Sequence, residues 1–249
     1  MTGNQQKTTA YNLHLIIPFF NEEKRIDKNN FDAFAAANKN ILLTLVNDGS
    51  SDNTSAVLTD IFNQNRDNIR IVTLEKNGGK SNAIREGILS VNSEDIPYTG
   101  YLDGDLSTPF ESFLSLYDEF KIKNADAAFG SRIKKIDTYI ERSSFRHISG
   151  RIIATLVDNK FKIGCYDTQC GAKLFKTKIL YTAIKKPFST KWFFDIEIIL
   201  RLRNQYTSLN IIEVPLRKWV HKKGSKISFW STFEVIKELL TMFSKYNNR

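Results

Sequence analysis

The chain has 249 residues, with only two cysteines, three histidines, five prolines and two methionines among them. Two cysteines, Cys165 and Cys170, cannot build the disulfide framework of a small secreted scaffold. With so few histidines they offer no zinc-ligand spacing either, and they are expected as reduced thiols of a cytoplasmic protein. No run of about 18 or more apolar residues occurs, so no membrane-spanning helix is predicted. The first twelve residues are polar, which predicts no secretory leader. Zinc-finger spacing and RNP-type aromatic motifs are lacking, so no nucleic-acid partner is expected. No Gly-x-Gly-x-x-Gly follows the first apolar run, which argues against a dinucleotide-binding dehydrogenase. Lys76-Asn77-Gly78-Gly79-Lys80-Ser81 resembles a phosphate loop, but Leu74 stands where a Walker pattern needs glycine.

What is present describes a globular chain. Hydrophobic residues make up 41% and charged residues 25%, the balance of a folded domain with a sizeable core. The net charge of +9 is uneven. Residues 132–162 hold eight Lys/Arg against three acids, and 216–249 hold eight against two. Two basic segments on a near-neutral body point to a local anionic partner, such as phosphates or an anionic membrane surface.

Apolar runs rich in β-branched residues predict strands over 13–17, 41–46, 69–74, 99–102 and 125–129. Helical spacing lies between them over 22–37, 52–63, 80–91 and 109–121. This alternation predicts an α/β fold with a mostly parallel central sheet and helices on both faces. Such sheets bind ligands beyond the C-terminal ends of their strands, where every motif of this half falls. Thr108-Pro109-Phe110-Glu111 has the pattern of a capping box. The second half is less regular, with helices expected over 141–157 and 192–203 and strands over 172–175 and 210–214. From Phe229 onward, Phe233, Ile236, Leu240, Phe243 and Tyr246 follow one face of an amphipathic helix. The expected division is a catalytic domain over 1–227 and a C-terminal helix over 228–249.

Asp103-Gly104-Asp105 ends the fourth strand, where two carboxylates can aim at one Mg²⁺ or Mn²⁺ that neutralises a diphosphate. A solvated acidic turn is the plainer alternative. Asn47-Asp48-Gly49-Ser50 ends the second strand, and Asp48 could meet a base or ribose or merely shape an ordinary turn. Lys80 at a helix start can meet phosphate or ribose. Arg132, Arg142 and Arg146 form either a phosphate-binding cluster or a solvated basic face. Asp195 and Glu197 stand among apolar neighbours, where acids are either buried in pairs or functional.

Taken together, 16–23 (Ile-Ile-Pro-Phe-Phe-Asn-Glu-Glu), 46–52 (Val-Asn-Asp-Gly-Ser-Ser-Asp) and Asp103-Gly104-Asp105 resemble the nucleotide-sugar half of family 2 glycosyltransferases with the GT-A fold. Gly130-Ser131-Arg132, 167–175 (Asp-Thr-Gln-Cys-Gly-Ala-Lys-Leu-Phe) and 194–197 (Phe-Asp-Ile-Glu) are similar to the branch of dolichyl-phosphate mannose and glucose synthases. The resemblance spans 13–227. It implies an inverting transfer of a hexose from UDP-glucose or GDP-mannose to a polyprenyl phosphate, with Mg²⁺ or Mn²⁺. It implies that Pro18, Phe20, Glu22, Asp48, Lys80 and Gly104 bind the donor, and that Ser225 and Lys226 close over its diphosphate. Asp103 and Asp105 would hold the metal; Arg132, Arg142, Arg146 and Ser149 would bind the acceptor phosphate. Asp105, Asp195 and Arg132 are the candidate catalytic residues. Phe20 replaces a common Tyr, Asn47 the first Asp of Asp-Asp-Gly-Ser, and Ser107 a Gln that binds metal in some relatives. The expected location is the cytoplasmic face of a membrane, held by the basic tail, with a homo-oligomer or a membrane partner subunit left open. The alternatives are a saccharide acceptor and a non-catalytic nucleotide-sugar-binding protein.

Overall fold

A computed structural model describes residues 11–92, 95–141, 144–222 and 229–246, without the side chains of 144–147, 149 and 229–232. The chain runs β1 (Leu13–Phe19), α1 (Lys28–Ala37), β2 (Ile41–Asn47), α2 (Thr54–Gln64), β3 (Ile69–Thr73), α3 (Lys80–Leu89), β4 (Tyr98–Tyr101), α4 (Phe110–Ile122) and β5 (Ala127–Ser131). It continues through β6 (Tyr139–Glu141), α5 (Ser144–Phe161), β7 (Lys173–Lys176), α6 (Thr177–Ile184), α7 (Phe194–Arg203), β8 (Ile211–Pro215), β9 (Lys218–Val220) and α8 (Phe229–Lys245).

Seven strands form one sheet in the order β3-β2-β1-β4-β7-β5-β8, and β6 pairs with β9 in a second, small sheet. The large sheet is parallel except for β7, which runs antiparallel to β4 and β5. Its strands read as near-continuous apolar runs because both faces are covered. Leu13, Leu15, Ile17 and Phe19 of β1 point into a core shared with Phe31 and Phe34 of α1, Leu58 of α2 and Phe113 of α4. Ile16 points the other way, to Ala83 and Ile84 of α3, in a core completed by α5 to α8. Each such side chain, fully removed from water, stabilises the fold by roughly 1.5–3 kcal/mol.

Three sequence expectations are corrected. The first helix starts at Lys28, not at 22, with Asp27 as its N-cap accepting from the Asn30 N–H. Asn21 is left-handed (φ 52°), and the N–H groups that a helix would have left open are taken by α2's approach. Those of Asn21, Glu22 and Glu23 donate to Ser50 Oγ, Thr54 Oγ1 and Asp52 Oδ2. The capping box does not form, because Pro109 itself is the N-cap of α4 and makes no side-chain cap bond. The short α6, β6 and β9 were not anticipated; α6 follows β7 directly, with no turn residue between them to mark its start.

The C-terminal helix is apolar on two sides. Met242 is fully buried, and Val235, Leu239, Phe243 and Tyr246 pack on the core. Phe233, Ile236 and Leu240 remain 71, 52 and 62% exposed. On α5, Ile148, Ile152 and Leu156 form a similar exposed row. Among the described residues no helix is long and apolar enough to cross a membrane.

Candidate active site

The site lies where β1, β2 and β4 end at one edge of the sheet. Pro18 pairs with Val46 and Phe19 with Asn47, so Phe20 and Asp48 emerge side by side. The Asp48 N–H donates to the Phe19 carbonyl at 2.9 Å, and the Leu102 N–H to the Ile16 carbonyl at 3.0 Å. This register brings Asp103-Gly104-Asp105 beside Pro18. Gly104 is there for space, since a Cβ on it would lie 2.6 Å from the Pro18 carbonyl oxygen.

Asp48 is buried, and its two oxygens accept the N–H groups of Gly78 and Gly79 at 2.8 and 2.9 Å. Burial raises its carboxyl above the usual range, although those N–H groups and Lys191 pull it down. Asp48 therefore shapes the glycine turn from which α3 starts. The first residue of α3 is Lys80, whose Nζ lies 2.5 Å from Asp103 Oδ1. Burial disfavours the charge on Lys80, but Asp103, then Asp195, outweigh it and raise its pKa. Burial likewise raises Asp103, and Lys80, Arg132 and Lys173 overcome it and hold that carboxyl below the usual range. Lys80, expected to meet phosphate or ribose, sits against the first of the two paired aspartates.

Asp105 turns to the opposite side. Its Oδ1 accepts the Ser107 N–H at 2.9 Å, and its Oδ2 meets Arg25 Nη2 at 3.0 Å. Arg25 also holds Glu22 at 2.9 Å. Asn47 has a definite task as well, since its Oδ1 accepts the Ser50 N–H at 3.0 Å and closes the turn after β2.

Arg132 is not an open fork. Its Nε and Nη2 each lie 2.7 Å from an Asp167 oxygen, and its backbone N–H donates to the same carboxylate at 3.1 Å. The guanidinium stands 5.3 Å from the centre of the Trp219 ring. Asp195 is buried; it accepts the Tyr101 hydroxyl and lies 3.9 Å from Lys173 Nζ. Burial raises its carboxyl above the usual range, against Lys173 and Lys80. Glu197 has a structural role: its charge is met by Arg201 at 2.8 Å and by the Tyr246 hydroxyl at 3.0 Å.

Arg142, Ser225 and Lys226 lie outside the described residues. Arg146 and Ser149 fall on α5, with their side chains outside the description. Four residues at the site were given no role from the sequence: Arg25, Asp167, Gly171 and Lys173. Gly171 abuts Asp103 so closely that a Cβ on it would sit 1.8 Å from Oδ2. Lys173 is fully buried and donates to the Cys170 carbonyl, fixing the turn that carries Gly171. For Arg25 the only sequence signal is its spacing of three from Glu22.

A parallel sheet with one antiparallel strand near its middle, and paired carboxylates beyond β4, is the arrangement of GT-A glycosyltransferases. The chain belongs to glycosyl transferase family 2, whose family model matches residues 14–182. It is 31% identical over 250 residues to the dolichyl-phosphate beta-glucosyltransferase of Homo sapiens, covering 94% of this chain and 75% of that one. To the dolichyl-phosphate beta-glucosyltransferase of Dictyostelium discoideum it is 29% identical over 249 residues, covering 94% and 74%. Among solved structures it is similar to glucosyl-3-phosphoglycerate synthase from Mycobacterium tuberculosis in complex with Mn²⁺, UDP and phosphoglyceric acid. That likeness has a TM-score of 0.69 at 15% identity, over 95% of this chain and 78% of that one. The same synthase with Mn²⁺ and UDP-glucose gives 0.69 at 14% identity, over 95% and 79%. The protein is a glycosyltransferase.

Proposed function

We propose that this protein transfers glucose from UDP-glucose to a polyprenyl phosphate with inversion, using Mg²⁺ or Mn²⁺. The observation that carries the reading is a relay: Asp48 holds Gly78 and Gly79, α3 starts there, and Lys80 reaches Asp103 beside Asp105. The names of the relatives support the sugar and the acceptor, and the complexes of the mycobacterial synthase support UDP and a divalent cation.

The residues fit such a cation. Asp103 and Asp105 offer hard oxygen ligands, and the missing Cβ at Gly171 keeps space against Asp103 Oδ2. Among the described residues no cluster of three His, Cys, Asp or Glu could hold a metal. Two carboxylates completed by substrate phosphates and water are the usual setting for Mg²⁺. When bound, the cation would supply charge neutralisation for the leaving diphosphate.

Pro18, Phe20, Glu22 and Asp48 line the base and ribose side of the donor, with Gly104 against its diphosphate. Lys80 meets the diphosphate, and Ser225 and Lys226 close over it. Arg142, Arg146 and Ser149 hold the acceptor phosphate, while Arg132 works through its pair with Asp167. A phosphate oxygen is anionic at neutral pH, so the attack needs little help from a base. Rate then comes from alignment and from fixed charge around the leaving group. Asp195, tied to Tyr101 and Lys173, stands behind Asp103 and Lys80 and keeps them in place. The exposed rows of α8 and α5, beside basic segments, seat the protein on the cytoplasmic face of an anionic membrane.

A radiolabelled transfer assay tests the reading. Protein, Mg²⁺ or Mn²⁺ and a short polyprenyl phosphate are incubated in turn with UDP-glucose, UDP-GlcNAc and GDP-mannose. Label entering the organic phase with UDP-glucose alone is expected. Transfer from GDP-mannose instead would change the sugar. Donor binding without lipid product would move the acceptor to a saccharide.

A further inference from the structure

Arg25 stands in the turn between β1 and α1 and bridges two carboxylates, Glu22 at 2.9 Å and Asp105 at 3.0 Å. The second contact is to Oδ2 of Asp105, the oxygen left over once Ser107 has taken Oδ1. Both side chains of the pair are 25% exposed, so water weakens the attraction without removing it. The guanidinium also lines a cavity of about 410 Å³, together with Lys218 and Lys222.

A divalent cation ligated by Asp105 would need an oxygen at about 2.1 Å, while Arg25 holds one of the two at hydrogen-bond distance. Two cations cannot share that oxygen without strong repulsion. A metal bound there therefore competes with the guanidinium for Asp105. We propose that Arg25 is the exchange partner of the metal: it holds Asp105 until the donor arrives, then moves through the cavity onto the donor's diphosphate. This rests on the nucleotide-sugar reading above. A guanidinium suits that second position, because its planar fork matches phosphate oxygens. Metal entering alone breaks the Arg25–Asp105 pair and leaves the guanidinium with Glu22 alone, its Nη2 without an anion. Metal entering with a diphosphate supplies one. Arg25 thus couples the two ligands and disfavours a metal-loaded, donor-free site, and the coupling is reciprocal.

The test is Mn²⁺ titration of the full chain, followed by electron paramagnetic resonance, with and without UDP. Arg25→Met is expected to bind Mn²⁺ alone about tenfold more tightly than the unmodified chain, the worth of one charge-assisted contact. The factor by which UDP tightens Mn²⁺ is expected to shrink about tenfold. Arg25→Lys keeps the competing charge and should stay near the unmodified chain. Lys28→Met removes one charge from the exposed Lys28–Asp60 pair and should leave Mn²⁺ affinity unchanged. Arg25→Met binding Mn²⁺ alone equally or more weakly would overturn the proposal, as would a Lys28→Met effect of the same size. No Mn²⁺ binding by any of these proteins would overturn it together with the metal reading. A gain in Mn²⁺ affinity without any UDP binding would keep the competition at Asp105 and sink the donor reading instead. Thermal unfolding of each variant reports whether it has folded.

Discussion

Replacing Gly171 by alanine would put a methyl group where Asp103 keeps its carboxylate. The new Cβ would lie 1.8 Å from Oδ2, 2.2 Å from Cγ and 2.6 Å from Oδ1. Ordinary contact begins near 3.4 Å, so the carboxylate must retreat by about 1.6 Å. It cannot do so and keep Lys80 Nζ at 2.5 Å from Oδ1. That contact is more than a third exposed, so its loss is worth only about 1 kcal/mol. The larger effect is on function, since displacing a reacting or ligating group by about 1 Å can cost 10²-fold. We therefore expect Gly171→Ala to lower kcat/KM about 100-fold and to weaken Mn²⁺ binding in parallel. Unfolding should shift by no more than roughly 2–4 °C, the equivalent of 1 kcal/mol in a chain this size. Gly164→Ala is the control: its φ is +73° but nothing lies within 4 Å of a Cβ there. It should lose about 1–2 kcal/mol of stability and leave turnover unchanged. Gly171→Ala with unaltered Mn²⁺ affinity and turnover would refute the reasoning, because Asp103 would then be free to sit elsewhere.

Three further outcomes are expected. Asp105→Asn should abolish metal-dependent UDP binding measured by calorimetry while the fold is kept, since the carboxylate is a quarter exposed. His14 is fully buried against Thr44 Oγ1, and burial pushes its pKa down to about 3 from the usual 6.5. The unfolded chain then binds the extra proton first, so stability should fall as pH drops below 6.5, by about 1.4 kcal/mol per unit from this group; urea unfolding at pH 7, 6 and 5 checks the slope. Phe233→Ser with Ile236→Ser should reduce co-sedimentation with anionic vesicles without lowering thermal stability, because both side chains are exposed.

The α/β fold was legible in the sequence wherever burial on both faces writes a continuous apolar run. Ile41 to Val46 and Leu13 to Ile17 leave no other reading, and the helices between them follow from spacing. Legibility stopped where tertiary contacts replace local signals. Nothing near Asn21 says that three N–H groups will find oxygens on the 50–54 segment rather than begin a helix. The antiparallel β7 could not be told from a parallel strand, since the short run Ala172-Lys173-Leu174-Phe175 carries no signal of strand direction. At the site, Asp103, Asp105, Asp48 and Lys80 were found because they sit in motifs at strand ends. Arg25 was not, because a single basic residue carries no partner in its own sequence, and Asp167 and Lys173, although inside the quoted 167–175 segment, received no role because that segment does not show what they meet. Only the fold shows that Lys173 is enclosed beside Asp195, or that Arg132 and Asp167 meet across 35 positions.

Those pairings also explain how so many acids can stand together. Four carboxylates at the site each face a cation: Asp103 has Lys80 at 2.5 Å, Asp105 has Arg25 at 3.0 Å, Asp167 has Arg132 at 2.7 Å, and Asp195 has Lys173 at 3.9 Å. Without them, four negative charges at one sheet edge would repel and raise one another's pKa. With them, these four charges are compensated before any ligand enters. A bare diphosphate would meet acids, and a bare divalent cation would meet ammonium and guanidinium groups. On the proposed function, a diphosphate arriving with its cation would bring nearly balanced charge, with Lys80 and Arg25 facing the phosphates and Asp103 and Asp105 holding the cation. On that proposal, the electrostatics of the site would favour donor and metal as a joint ligand, with Lys80 and Arg25, 39 and 25% exposed, rather than the more enclosed Lys173 and Arg132, placed to make the exchange.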